Sequence, residues 1–153
     1  MSPQKMLSIM LAVIMLLSIF SVPASAATPE TVEPMASDYL STYSGWMSRE
    51  SGSKEMSVNF SVVGTDIMDL IGVRLISVYY SSDGENWTIH GIYRYEDYPH
   101  LMKSDTAVCS ASLAVTGSYG YYYKAYLVFK SELDGGYDER AIYTSPIYVS
   151  RFS

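Results

Sequence analysis

The sequence predicts an all-β fold: a single antiparallel β-sandwich of about seven strands, preceded by a signal-peptide helix. Three observations predict it. Apolar and polar residues alternate at a period of two through several segments, and no segment repeats convincingly at 3.6 residues. Turn-forming pairs (Asp83-Gly84, Gly135-Gly136) and the glycines Gly117 and Gly120 punctuate the alternating runs at short intervals. Tyrosine, a strand-favouring residue, occurs 15 times in 153 residues. An eight-stranded closed barrel is the competing architecture.

Residues 1–26 carry the pattern of a secretory leader. Lys5 gives a positive start, an apolar run follows to Phe20, Pro23 breaks it, and Ala24-Ser25-Ala26 presents small residues for cleavage after Ala26. The apolar run is shorter than the roughly 20 residues that a bilayer core demands. It therefore predicts a cleaved leader and no membrane contact afterwards. Residues 27–38 contain Pro29, Pro34 and acids without periodicity, and read as a flexible leader. Residues 39–153 form the predicted sandwich domain.

Within that domain the first strand spans about 39–47. The second, 55–63, alternates Met56, Val58, Phe60 and Val62 on one face with Ser57, Asn59 and Ser61 on the other. The segment 64–72 reads as a connection with an apolar centre, one helical turn at most. The third strand, 73–80, is nearly continuous in apolar residues. Asp83-Gly84 then supplies the positive φ that a hairpin turn needs, and 87–93 returns as the fourth strand. A polar loop covers 95–105. The fifth strand, 107–115, places Ala107, Cys109, Ala111, Leu113 and Val115 on one face. The sixth, 121–130, is rich in Tyr, Val and Phe. The seventh covers 140–149, where Pro146 cannot donate to a ladder and predicts an edge or a bulge.

Composition bounds the function. With 48% apolar and 17% charged residues the chain is not disordered. A net charge of −6 argues against nucleic acid, which is bound by clustered basic residues. Cys109 is the single cysteine and has no partner for an internal disulfide.

Two segments carry a resemblance: Val78-Tyr79-Tyr80-Ser81-Ser82-Asp83-Gly84-Glu85-Asn86-Trp87-Thr88, and Gly120-Tyr121-Tyr122-Tyr123-Lys124-Ala125-Tyr126 with Tyr143-Thr144-Ser145-Pro146 after it. They resemble an immunoglobulin-like or fibronectin type III-like sandwich. The resemblance implies a corner tyrosine, with Tyr121 or Tyr123 as candidate. The core cysteine pair of antibody-type domains and the usual proline-rich first strand are missing. The chain is also similar to small secreted proteins of unknown function from Gram-positive bacteria. That likeness rests on Ser37-Asp38-Tyr39, Ser41, Tyr43-Ser44, Trp46, Met68-Asp69, Ile71-Gly72, Ser82-Asp83-Gly84, Trp87 and Asp134-Gly135-Gly136, and it implies no activity.

Catalytic constellations are not legible. Ser82 to Trp87 resembles the Asp-box turn of sialidase-like propellers but is one residue short and occurs once, so it reads as a hairpin turn. His90 and His100 lack metal-ligand spacing. Asp134, Asp138 and Glu139 read as turn acids in preference to a calcium site. Glu96 and Asp97 are adjacent, so in an extended segment they point apart, which does not suit paired-carboxylate chemistry. Cys109 falls on a core face and reads as a small hydrophobe.

The candidates are instead Tyr122 and Tyr126, which share a strand face with Lys124, Val128 and Lys130, opposite Tyr121, Tyr123, Ala125, Leu127 and Phe129. Exposed tyrosine rings suit stacking on a sugar or burial in a protein interface. The sequence thus predicts a secreted, non-catalytic binding module with no cofactor and no metal, whose partner is an unidentified extracellular protein or carbohydrate. The alternative is a small extracellular hydrolase or enzyme inhibitor working through the 95–105 loop.

Overall fold

The computed structural model describes residues 37–152. The predicted signal peptide and nearly all of the predicted leader lie outside them. Seven strands are present: β1 (Leu40–Arg49), β2 (Glu55–Ser81), β3 (Thr88–Arg94), β4 (Met102–Thr116), β5 (Tyr121–Leu133), β6 (Gly136–Tyr143) and β7 (Ile147–Val149). All pairings are antiparallel and all strands belong to one sheet, curled into a half-barrel.

The number seven agrees with the sequence reading, but the strands are not the same seven. The predicted second and third strands are one continuous 27-residue β2, and the segment 64–72 is strand, not a helical turn. The reason is packing. Met68 and Ile71 are fully buried, and Leu70 to Gly72 pair with β4 on one side and β5 on the other. The predicted last strand is two, β6 and β7, because Pro146 interrupts the ladder. Thr144 bridges the gap: its N–H donates to the Ala125 carbonyl at 2.8 Å, and its Oγ1 accepts from the Ala125 N–H at 3.0 Å. The predicted 95–105 loop is also shorter than expected. Pro99–Leu101 forms one 3₁₀ turn that buries Leu101, and β4 starts directly after it.

A straight strand of 27 residues would run about 90 Å. A compact domain of this size has a radius of gyration of only about 13 Å, so β2 must bend. It does so through register shifts between Val63 and Met68 against β4, and between Val73 and Leu75 against β5. β1 and β4 flank its first half, while β3 and β5 flank its second half.

The bend brings the inner faces of the two halves together. Met56, Val58, Phe60 and Val62 from the first half are buried with Ile76, Val78, Tyr123, Ala125, Leu127 and Phe129 from the second. Phe129 lies 6.3 Å edge-on from Phe60 and 5.3 Å from Tyr43 of β1 (ring centroids). Gly45 passes so close to Leu127 that a Cβ would sit 3.0 Å from its Cδ2. Cys109 is fully buried on the same core face, and burial pushes its thiol up. The described start of the chain is tied down: Ser37 Oγ accepts from the Leu40 N–H at 2.7 Å and donates to the Asp138 carboxylate.

Gly72 sits where three strands meet, with φ +154°. A Cβ there would overlap the Leu101 carbonyl oxygen and come within 2.7 Å of Met102 Cα. Gly120 has φ +88° but open space around it. Gly72→Ala is therefore expected to cost about 2–4 kcal/mol, since backbone must move. Gly120→Ala is expected to cost only about 1 kcal/mol, the conformational penalty alone. Urea unfolding of the two variants compares them directly; equal losses would show that β4 does not press on β2 at this point.

Candidate functional site

The predicted face division of β5 holds, although Tyr121, expected in the core with Tyr123, is only half-buried against it. Tyr123, Ala125, Leu127 and Phe129 point into the core, while Tyr122, Lys124 and Tyr126 are only half-buried on the outer face. Val128 departs from the pattern and is buried on that outer face.

Around Tyr122 and Tyr126 the fold assembles a wider aromatic strip than the sequence indicates. Strand register does this. Tyr126 pairs directly with Tyr143 of β6, ring centroids 4.8 Å apart, and Tyr122 pairs with Tyr148 of β7 at 4.7 Å. Such cross-strand aromatic pairs are the natural unit of sheet-surface packing. Tyr79 of β2 approaches Tyr143 at 6.2 Å, and burial beside Tyr143 pushes its phenol up. On β2, Ser77 opposite Tyr126 and Ser81 opposite Tyr122 are buried although they face outward. Tyr143 and Tyr148 remain 57% and 45% exposed, so the strip faces water.

One cation belongs to the strip. The Lys124 ammonium lies 4.2 Å from the Trp87 ring centroid and 4.9 Å from that of Tyr143. Both distances are within cation–π range, so rings hold the charge, and among the described residues no carboxylate pairs with it. Trp87 is positioned by the turn between β2 and β3. Asp83 organises that turn: its Oδ1 accepts from Ser81 Oγ at 2.7 Å and from the Glu85 and Asn86 N–H groups at 2.9 and 2.8 Å. Its Oδ2 accepts from Asn86 Nδ2 at 2.7 Å. Gly84 takes the positive φ, +78°, that the Asp83-Gly84 pair predicts.

Two hollows lie away from the strip. One, of about 550 Å³, is lined by Ser48, Arg49, Glu55, Met56 and their neighbours. Its guanidinium is already committed, since Arg49 Nε donates to the Tyr148 carbonyl at 3.1 Å and Nη1 to that of Glu50 at 3.1 Å. The other, of about 310 Å³, is lined by Tyr80, Ile89, His90, Ser118, Tyr121 and Tyr123. His90 reaches it through a β-bulge. Gly91 pairs with Val78 and Ile89 with Tyr79, leaving His90 as the unmatched residue of β3. Its ring stands edge-on to Tyr123, centroids 5.4 Å apart, and to Tyr80 at 6.1 Å. Reasoning from the sequence missed this cavity. A bulge depends on which strand β3 pairs with, and the Gly91 beside His90 was the one local hint.

The remaining sequence candidates are dispersed. His100 donates from Nε2 to the Ser112 carbonyl at 3.2 Å, and the exposed Glu96 and Asp97 do not line the His90 cavity. Asp138 faces Arg140 Nη1 at 2.5 Å and Glu139 faces Arg74 Nε at 2.5 Å, so both are engaged in pairs. Among the described residues no three His, Cys, Asp or Glu side chains gather to hold a metal, and no helix is long and apolar enough to cross a membrane.

The four hydrogen bonds hold the Asp83 carboxyl well below the usual carboxylate range. A depressed folded-state value means the turn is stabilised above the unfolded value and loses that contribution only as pH falls through the folded one. The Asp83 carboxyl carbon is expected to remain ionised at pH 3 in a carbon-detected NMR titration. Asp83→Ala is expected to release Trp87 from Lys124, seen as a shift in tryptophan emission with little change in melting temperature. Unchanged emission would separate the turn from the strip.

No family model matches this chain, and no curated protein matches it. Two solved structures show a distant likeness. A family 76 glycoside hydrolase from a bovine Bacteroides thetaiotaomicron strain is 13% identical, with 73% of this chain and 21% of that one covered and a TM-score of 0.31. A novel β-glucosidase from Erythrobacter marinus is 12% identical, with 69% and 16% covered and a TM-score of 0.33. The chain thus spans about a fifth or less of the proteins it matches.

Proposed function

We propose that this chain is a secreted, non-catalytic binding module with an immunoglobulin-like β-sandwich fold, which docks an extracellular protein through the outer aromatic strip of β2, β5, β6 and β7. The leader pattern of residues 1–26 supports secretion. The facing inner surfaces of the curled sheet support the sandwich reading.

The observation that carries the binding role is the strip itself: Tyr79, Tyr122, Tyr126, Tyr143, Tyr148 and Trp87 around one ring-held lysine, facing solvent on a rigid sheet. Its shape favours a protein partner over a flat glycan. The Tyr122–Tyr148 and Tyr126–Tyr143 pairs are tilted by 48° and 45°, so the surface is ridged, and Lys124 sits over the Trp87 ring that a sugar would stack on. Surfaces rich in tyrosine and tryptophan match the composition of protein–protein hot spots.

The test compares the purified protein with the Tyr122→Ala/Tyr126→Ala variant. Both are screened against extracellular protein fractions, a glycan array, and chromogenic ester and glycoside substrates. The variant is expected to fold, losing about 1–3 kcal/mol of ring packing, and to lose a protein ligand that the parent captures. Loss confined to glycans would move the ligand class to carbohydrate. Turnover of a substrate that survives in this variant and disappears in His100→Ala would support the hydrolase reading instead.

A further inference from the structure

The His90 cavity lies on the opposite face of β5 from the aromatic strip, and its chemistry is different. His90 Nε2 lies 3.0 Å from the Thr116 carbonyl oxygen. A carbonyl only accepts, so Nε2 carries the hydrogen, and in the tautomer that this bond selects Nδ1 is the acceptor. The Tyr123 oxygen accepts from the Ser118 N–H at 2.8 Å, which leaves its own hydrogen free to donate. Among the described residues the hydroxyls of Tyr80, Tyr121 and Ser118 have no hydrogen-bond partner. None of the lining residues is an acid, a lysine or an arginine.

The residues that line the cavity therefore carry one acceptor nitrogen, four hydroxyls, ring surface and no acid, lysine or arginine, around about 310 Å³ open to solvent. Sites for small ligands begin at about this volume. We infer that this cavity binds one uncharged sugar ring, the terminal pyranose of a glycan. A pyranose has an apolar C–H face to lie against a tyrosine ring and a rim of hydroxyls that both donate and accept, which is the complement of this lining. An anion would find no cation here. A quaternary ammonium would want ring faces turned toward a common centre, with an acid nearby. Here Tyr80 meets Tyr121 at 68° and His90 meets Tyr123 at 89°, so the rings do not all turn face-on to one centre, and no acid lines the cavity.

A β-bulge places His90 at the cavity. Without the bulge, β3 would keep strict alternation and the imidazole would not share a cavity with Tyr80 and Tyr123. The bond to Thr116 then fixes the ring tautomer across the seam between β3 and β4, much as the partner of a metal-bound or catalytic histidine fixes its free nitrogen.

The experiment titrates the purified protein, labelled with ¹⁵N at histidine, with D-glucose, D-galactose and N-acetylglucosamine, followed by the His90 Nδ1 resonance and the tyrosine ring protons. Tetramethylammonium chloride is the comparison probe. A saturable Nδ1 shift with at least one sugar is expected, with Kd in roughly the millimolar range for a single open pocket. The Tyr121→Phe/Ser118→Ala variant keeps both side-chain volumes and removes two hydroxyls, and it is expected to weaken that binding about five- to tenfold. Tyr122→Ala/Tyr126→Ala is expected to leave it unchanged, so a failure of the strip and a failure of the cavity are told apart. The inference is overturned if no sugar produces a saturable shift, if only tetramethylammonium does, or if removing the two hydroxyls leaves the affinity as it was.

Discussion

The reversal of β2 is the constraint on which the rest of this protein depends. One strand supplies a wall to each half of the sheet, so the core exists only because that strand turns back across its own middle. The turning point combines a bulge, where Gly64 packs against Met68, with Gly72 pressed between β4 and β5. A side chain at either glycine would push apart surfaces that must touch. The energetic return is the meeting of Phe60 with Phe129 and the burial of Met56 and Tyr123 in the same core, large side chains that neither half could bury alone. Gly117 belongs to the same closure, since a Cβ there would lie 2.8 Å from Met56 Cε and 2.9 Å from Tyr123 Cζ.

β5 carries the consequences of that geometry on both faces. Its odd-numbered residues from Tyr123 to Phe129 finish the core, and Tyr121 and Tyr123 line the His90 cavity. Its even-numbered Tyr122, Lys124 and Tyr126 form the centre of the outer strip. Tyrosine suits both settings, because its ring tolerates burial while its hydroxyl remains available at a boundary. The interruption at Pro146 also contributes. It divides the last segment into β6 and β7, each delivering one exposed tyrosine opposite a tyrosine of β5.

Parts of this were legible in the residues. Period-two alternation identified Met56, Val58, Phe60 and Val62 as core and divided β5 correctly, because a strand side chain has only two directions available. The turn at Asp83-Gly84 was legible because its chemistry is local, enclosed within Ser81 to Asn86. The segment 64–72 was misread for the opposite reason. Its glycines and exposed Asp66 look like a connection in isolation, and only β4 and β5, drawn from far along the chain, make it strand. His90 was passed over on the same ground, since its bulge is defined by a register with β2 that no local pattern encodes.

By itself the sequence determined the β class, the strand faces and the chemistry of the turns, all of which follow from backbone preferences and side-chain alternation within a few residues. It also placed Tyr122 and Tyr126 on an outward face. Only the tertiary structure decided that two predicted strands are one, that Tyr143, Tyr148, Tyr79 and Trp87 join those tyrosines, and that His90 shares a cavity with Tyr80, Tyr121 and Tyr123. Those outcomes depend on which strands pair and in what register. Register is settled by burying the whole apolar surface at once, a condition on the complete chain that no short segment can express.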